Sequence, residues 1–169
     1  MADDSTFTIR AQRTDDQDEL FLLLTNEAAL LDSVEAPYMT EESFRDRFTN
    51  PPAGTYALVT ESVLPSARHR IVGVAWLQVY GNRLRHTARL TRLCLPQIRR
   101  GDGERRLLKA ALALADEWLG LRRVELVVYA SDAADEAFYG GFGFEREAVM
   151  RRYAVRQGTY ADAWLLARL

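Results

Sequence analysis

A glycine-containing turn flanked by arginines is the part of the sequence best suited to chemistry. Residues 99–106 read RRGDGERR and lie between an apolar segment and a long helical pattern. Glycines let the backbone come close to a ligand, and the free amides at a helix start attract anions. Arginine side chains add bidentate hydrogen bonds to phosphate. The run predicts a phosphate site, with a solvent-exposed strand-to-helix turn as the alternative.

A second candidate cluster follows a strongly apolar strand pattern. Residues 123–129 are RVELVVY, and residues 137–144 are AFYGGFGF. The phenol of Tyr139 is neutral near pH 7 and can donate one hydrogen bond, which suits a general acid. The alternative is a half-buried helix tyrosine that packs on the sheet.

Three further side chains have chemical potential. His86 has a reference pKa of about 6.5 and could accept a proton, or it is an exposed loop residue. Glu35, between two early helical patterns, could recognise an amine, or it is an exposed acid. Cys94 is the single cysteine, so a disulfide framework and a thiol-based zinc cluster are excluded, and we expect a buried structural thiol and no metal.

The bulk composition bounds the class of protein. The chain has 169 residues, which fits one domain over 1–169, and its net charge is -2. A near-neutral charge gives no reason to expect nucleic-acid binding, although residues 83–106 form a locally basic stretch. Because no apolar run has the length of a membrane span and the first ten residues lack an apolar signal region, we expect a cytoplasmic protein without membrane partners.

The elements that must position these residues follow from periodicity and turn signals. Strand patterns flank and interrupt the helical ones, in the order β, α, α, β, β, β, α, β, α, β, β. The predicted strands are 7–10, 55–61, 71–80, 87–95, 124–129, 145–155 and 159–169, and the predicted helices are 15–31, 40–48, 103–119 and 132–141.

This order predicts an α/β fold with a single mixed sheet and helices on both faces. The first strands form an antiparallel meander, the strand–helix–strand unit that follows is a parallel crossover, and the last strands are antiparallel. Ligands bind open α/β sheets where the pairing changes. The phosphate-binding turn stands at that position.

The two motifs resemble segments of the GCN5-related N-acetyltransferase (GNAT) superfamily. Arg100-x-x-Gly103-x-Arg105 is similar to its acetyl-CoA-binding turn, although a small residue is usual in place of Arg105. FYGGFGF is similar to its Tyr-x-x-x-Gly-Phe signature. The tail from Arg152, and the Arg85-His86 entry to its strand, resemble bacterial members that acetylate free amino acids or related small amines.

The resemblance implies an N-acetyltransferase in which the amine attacks the thioester of acetyl-CoA directly. It implies Tyr139 as general acid, with His86 as the candidate base and Glu35 as the candidate substrate-binding residue. A splayed strand over 92–95 would expose amides to the carbonyl and the pantetheine arm. The implied cofactor-binding residues are Leu93, Cys94, Leu95, Arg100, Gly101, Asp102, Gly103, Arg105, Asp132 and Tyr139.

Several departures from the family pattern leave a second hypothesis open. Relatives often carry an acid on the strand over 87–95, where this chain has Arg89 and Arg92, and this strand is one residue longer, which predicts a bulge. Asp132 replaces a usual Asn. The alternative is a GNAT-fold binding or regulatory module without turnover. A homodimer through the terminal strands is compatible with either, whereas a dinucleotide-binding enzyme is disfavoured because the third glycine of that fingerprint is missing.

Overall fold

The computed structural model describes residues 7–33, 37–63, 69–94, 101–130 and 133–169. Its strands are β1 (Phe7–Ala11), β2 (Thr55–Val63), β3 (His69–Val79), β4 (Thr87–Cys94), β5 (Arg123–Tyr129), β6 (Glu145–Arg156) and β7 (Thr159–Arg168). Its helices are α1 (Gln17–Leu24), α2 (Glu27–Asp32), α3 (Glu41–Thr49), α4 (Asp102–Ala113), which continues as a π turn over Leu114–Trp118, and α5 (Ala133–Gly140). None of the helices in these ranges is long and apolar enough to span a membrane.

All seven strands belong to one sheet, in the order β1-β2-β3-β4-β5-β7-β6. Strands β4 and β5 are parallel, and the other neighbouring pairs are antiparallel. Helix α4 connects the two parallel strands and packs on the sheet chiefly over β3, with further contacts to β1 and β2. The predicted α/β class, with one mixed sheet and a parallel crossover, is confirmed.

The helix predicted over residues 15–31 is two helices, so this prediction is wrong. The hydroxyl of Thr25 donates a hydrogen bond to the carbonyl of Phe21 (2.6 Å) at the end of α1. The side chain of Asn26 caps α2 by accepting a hydrogen bond from the amide of Ala29 (2.9 Å). Such side chains compete with the helix backbone for hydrogen bonds, so they break the helix although the apolar periodicity continues.

Apolar side chains cover both faces of the sheet. Helices α4 and α5 pack on one face of β3, β4 and β5, with a buried core that includes Leu77, Leu90, Leu107, Leu108, Val124, Leu126 and Phe138. Helices α1 and α3 pack on the other face, over β2 and β3, with a core that includes Leu20, Leu23, Phe44, Phe48, Val59 and Trp76. Burial of apolar area is the main driving force for this layered arrangement.

Candidate active site

Strands β4 and β5 are joined at one end only. Their parallel pairing covers Thr87↔Arg123, Ala88↔Val124 and Arg89↔Glu125. The pairing then ends, although β4 continues to Cys94 and β5 continues to Tyr129. The facing backbone groups beyond the last pair therefore have no strand partner across the gap. This V-shaped opening is the splayed strand that the resemblance implies, and its apex lies at the Arg89–Glu125 pair.

A bulge in β4 lies beside the opening. Val74 of β3 pairs with Cys94, and Trp76 pairs with Thr91, so two residues of β4 face a single residue of β3. Bulges bend a strand and change its twist. The predicted bulge is confirmed, and it directs the end of β4 away from the line of β5.

The start of α4 supplies the glycine turn. Gly101 caps the helix in an extended conformation, and its carbonyl accepts a hydrogen bond from the amide of Arg105 (3.1 Å). The amides of the first turn, which include those of Asp102 and Gly103, have no helical acceptor. Gly103 is buried and Asp102 is exposed. Free amides and the positive end of the helix dipole make this turn suitable for a diphosphate.

Tyr139 lies between α4 and the sheet, and its hydroxyl donates a hydrogen bond to Oε1 of Glu104 (3.1 Å). Both side chains are nearly inaccessible, with 6% of Tyr139 and 3% of Glu104 exposed. Glu104 is the third residue of α4, where the helix dipole favours a negative charge. Glu104 is a residue that our sequence reasoning missed, because nothing in the sequence indicated that residues 104 and 139 would meet.

The guanidinium of Arg105 lies over the ring of Phe138, 5.1 Å from its centroid. Arg105 is exposed, and its side chain packs on α5, not across the first turn of α4. The Arg105 guanidinium therefore lies against α5 and does not fold back over the amides of Asp102 and Gly103. A cation–π contact of this kind is worth about 0.5–1 kcal/mol at an exposed site.

His86 lies at the joined end of the β4–β5 pair. Its carbonyl accepts hydrogen bonds from the amides of Arg122 (2.9 Å) and Arg123 (3.2 Å), and the residue is exposed. His86 precedes β4 at the joined end, and the three residues from His86 to Arg89 span roughly 10 Å along the strand. Because it is exposed and lies on the joined side of the apex, His86 does not line the opening, and its role as the base stays a prediction.

A chain of ion pairs closes the apex of the opening. Arg89 donates to Oε2 of Glu125 (3.2 Å), and Nε of Arg123 donates to Oε1 of the same carboxylate (2.7 Å). Arg123 also donates to Glu147 (2.8 Å). The hydrogen bond from Arg123 lowers the pKa of Glu147, and the two carboxylates raise the pKa of Arg123. An acid, Glu125, thus stands on the neighbouring strand directly opposite Arg89, and it is paired with two arginines.

A cavity of about 440 Å³ lies at the open end of β5. The hydroxyl of Tyr129 donates to the carbonyl of Ser33 (2.8 Å), which ties β5 to the end of α2, and Arg156 lies over the Tyr129 ring (4.9 Å). The cavity is lined by polar and aromatic residues that include Arg156, Tyr160 and Asp162. It is suited to a small polar molecule.

Some of the predicted site residues lie outside the described ranges, namely Glu35, Leu95, Arg100 and Asp132. Leu93 and Cys94 belong to the part of β4 that lies beyond its pairing with β5. Among the described residues, no group of three or more His, Cys, Asp or Glu side chains is arranged to bind a metal ion.

The chain aligns with solved acetyltransferases over nearly its whole length. Spermidine N-acetyltransferase from Vibrio cholerae, in complex with CoA and spermine, superimposes with a TM-score of 0.80 at 21% identity and covers 97% of this chain and 95% of its own. An acetyltransferase of the GNAT family from Streptococcus pneumoniae gives 0.76 at 21% identity, over 96% and 99%. The chain has the GNAT fold. A ribosomal-protein-alanine N-acetyltransferase from Brucella melitensis gives 0.79 at 19%, over 96% and 99%.

Sequence comparison supports membership of the GNAT superfamily. L-amino acid N-acetyltransferase AaaT of Escherichia coli (strain K12) is 36% identical over 63 residues. The match spans 37% of this chain and 39% of the length of that relative. No family model matches the chain. The opening between β4 and β5 and the start of α4 are the candidate cofactor site, and the role of Tyr139 as general acid stays a prediction.

Proposed function

We propose that the chain is an acetyl-CoA-dependent N-acetyltransferase that acetylates the amine of a small molecule, an amino acid or a related amine. The observation that carries this proposal is that the β4–β5 pairing ends at Arg89↔Glu125 while β4 continues to Cys94 and leads toward the glycine-capped start of α4. Unpaired backbone groups are costly unless a partner meets them. An extended amide-containing arm that follows β4 would supply those partners, and the helix start would hold its diphosphate.

In this proposal the amine nitrogen attacks the carbonyl carbon of the thioester, the carbon–sulfur bond breaks, and the thiolate receives a proton from Tyr139. The hydroxyl of Tyr139 is held by Glu104, so its position is fixed before the reaction. During transfer the O–H bond turns from Glu104 to the sulfur. The attacking nitrogen loses one proton, and solvent returns one proton to the Tyr139 phenolate, so the phenol is restored and the products are the amide and the free thiol. A positioned general acid contributes about 100-fold or more to the rate.

The acceptor approaches from the face of the sheet opposite to α4 and α5, because the buried core closes the other face. On the acceptor face the cavity beside Tyr129 is within reach of the opening, since Glu125 and Tyr129 are about 13 Å apart along β5. Glu35 follows Ser33 closely in sequence and stays a candidate for binding the amine. A cytoplasmic location and a homodimer also stay predictions.

Calorimetric titration with acetyl-CoA, followed by an acetylation screen over amino acids and polyamines, tests the proposal. We expect saturable binding and release of free thiol only when an acceptor is added. Gly103→Val should weaken binding because it places a branched side chain in the first turn of α4, whereas Gly81→Val, at a turn with no atoms nearby, should not. Absence of heat at millimolar acetyl-CoA would instead favour a binding or regulatory module.

A further inference from the structure

Arg89 stands at the apex of the opening with part of its hydrogen-bonding capacity unused. Its Nε is buried and has no hydrogen-bond partner among the described residues. Its single hydrogen bond to Glu125 is long, at 3.2 Å, and uses one terminal nitrogen. A buried donor without an acceptor costs about 1–3 kcal/mol, so such a group calls for an explanation.

The neighbouring arginine of the same network shows the contrast. Arg123 uses its Nε on Glu125 and both terminal nitrogens on Glu147. Glu125 is satisfied on one oxygen by Arg123 at 2.7 Å and does not depend on Arg89 alone. Arg89 is therefore the guanidinium of this network that can change partner without leaving an unpaired carboxylate behind.

The surroundings of Arg89 hold its guanidinium on the acceptor face. Leu90 and Leu77, which are paired across β3 and β4, face the core under α4, so the alternate residue Arg89 faces the other side of the sheet. The guanidinium lies 6.0 Å from the centroid of the Tyr80 ring, at the limit of a cation–π contact. The side chain is 40% exposed, so an acceptor that enters the opening can reach it.

We propose that Arg89 binds a carboxylate of the acceptor, so that the enzyme acetylates amino acids in preference to amines that lack a carboxylate. This inference rests on the proposed N-acetyltransferase function. An arm that entered at the start of α4 and followed the unpaired edge of β4 would bring its thioester end toward the Arg89–Glu125 pair, where the pairing with β5 ends. The amine and carboxylate of an amino acid are attached to one carbon, so a cation beside the thioester selects an acceptor with both groups. The same cation repels a polyamine.

Matched pairs of acceptors test this inference, each pair being an amino acid and the amine formed by removing its carboxylate. In the wild type we expect kcat/KM to favour the amino acid by at least about tenfold, which is the range of a charged hydrogen bond. Arg89→Gln should reduce this preference by about 10- to 100-fold. Arg89→Lys should retain part of it, because lysine keeps the charge but not the planar fork.

Arg168→Gln is the matched control. Arg168 forms a bidentate pair with Asp116 (2.8 Å for both bonds), away from the opening, so its loss should leave the preference unchanged. Thermal unfolding of Arg89→Gln checks that the chain still folds. We expect it to fold because Glu125 keeps its hydrogen bond from Arg123. A preference unchanged within twofold in Arg89→Gln, or a wild type that favours amines or polyamines, would overturn the inference.

Calorimetric binding of the same acceptor pairs, with and without CoA, separates this inference from the proposed function. If acetyl-CoA binds and amines react regardless of a carboxylate, the inference about Arg89 fails and the acetyltransferase remains. If acetyl-CoA does not bind, the proposed function fails. Amino-acid binding that is lost in Arg89→Gln would still support a carboxylate site, and absence of amino-acid binding to the wild type would refute it.

Discussion

The two ends of the β4–β5 pair differ in almost every interaction. At the joined end, three ladder pairs, the carbonyl of His86 and the ion pairs around Glu125 hold the strands together. At the splayed end, the ladder is absent, and a helix start and a buried tyrosine lie nearby. Unpaired backbone groups at the splayed end favour closure of the ladder. The firm attachment at the joined end keeps the two strands together although the splayed end stays open.

The largest expected effect comes from removing the phenol at the splayed end. We expect Tyr139→Phe to lower kcat by about 100-fold or more, since it removes the proposed proton donor. The affinity for acetyl-CoA should change little, because the ring stays in place. Steady-state thiol release and calorimetry measure the two quantities.

Tyr56→Phe is the control for Tyr139→Phe, since Tyr56 is 40% exposed on β2, does not line the cavity beside Tyr129, and the change also removes one phenol. Equal activity of Tyr139→Phe and the wild type would show that the Glu104–Tyr139 pair is a packing feature. The splayed end would then be a binding groove without a proton donor.

A smaller effect, on stability alone, is expected for Asp16, which lies away from both ends of the β4–β5 pair. Burial opposes ionisation of Asp16, but the hydrogen bonds from Arg10 (2.8 and 2.7 Å) and from the amide of Arg13 outweigh it, so the pKa of Asp16 lies below its ordinary value. Asp16→Asn should lower the free energy of unfolding by about 2 kcal/mol at pH 7, as expected for hydrogen bonds to a charged group. Acetyl-CoA affinity should be unchanged.

The pH dependence of this difference follows from linkage. The folded pKa of Asp16 is lower than the unfolded one, so its contribution is present above about pH 4 and is lost as the pH falls through the folded pKa. Urea unfolding at several pH values should show the wild type and Asp16→Asn converging below about pH 4. A difference that stays constant down to the folded pKa would contradict the assigned role of the carboxylate charge.

A still smaller effect is expected for the arginine in the glycine turn. Arg105→Ala removes the contact with Phe138 and should destabilise the chain by about 0.5–1 kcal/mol. Because the guanidinium lies on α5 and not across the amides, acetyl-CoA affinity should change by less than about threefold, or about 0.6 kcal/mol. Much tighter binding by Arg105→Ala would show that the native side chain obstructs the site.

The smallest effect is expected for the exposed histidine at the joined end. His86→Gln keeps the backbone carbonyl that accepts the amides of Arg122 and Arg123, so stability should be retained. Turnover and its pH profile should match those of the wild type. A clear loss of turnover in this variant would return His86 to the site and weaken the contrast between the two ends.

Much of the fold was predictable because it rests on local signals. Alternation and turn residues located the strands, and the extra residue in β4 indicated the bulge that the pairing of Val74 and Trp76 shows. The break between α1 and α2 at Asn26 was missed because the apolar periodicity continues across it, although the Asn26 side chain caps a new helix. The Glu104–Tyr139 contact joins residues on different helices, and no local pattern encodes how α4 and α5 pack. The position of His86 relative to the opening likewise depends on which end of β4 pairs with β5, and no local pattern indicates that end.

The bulge in β4 has a consequence for how the sequence of this strand can vary. Successive side chains of a strand point to opposite faces of the sheet. One extra residue therefore reverses which positions face which side, in the segment after the bulge relative to the segment before it. The segment that carries Arg89 and the segment that ends at Cys94 therefore each keep their own inward and outward positions. We therefore expect that substitutions near Arg89, which would change the choice of acceptor, leave the pairing of the segment that ends at Cys94 unchanged.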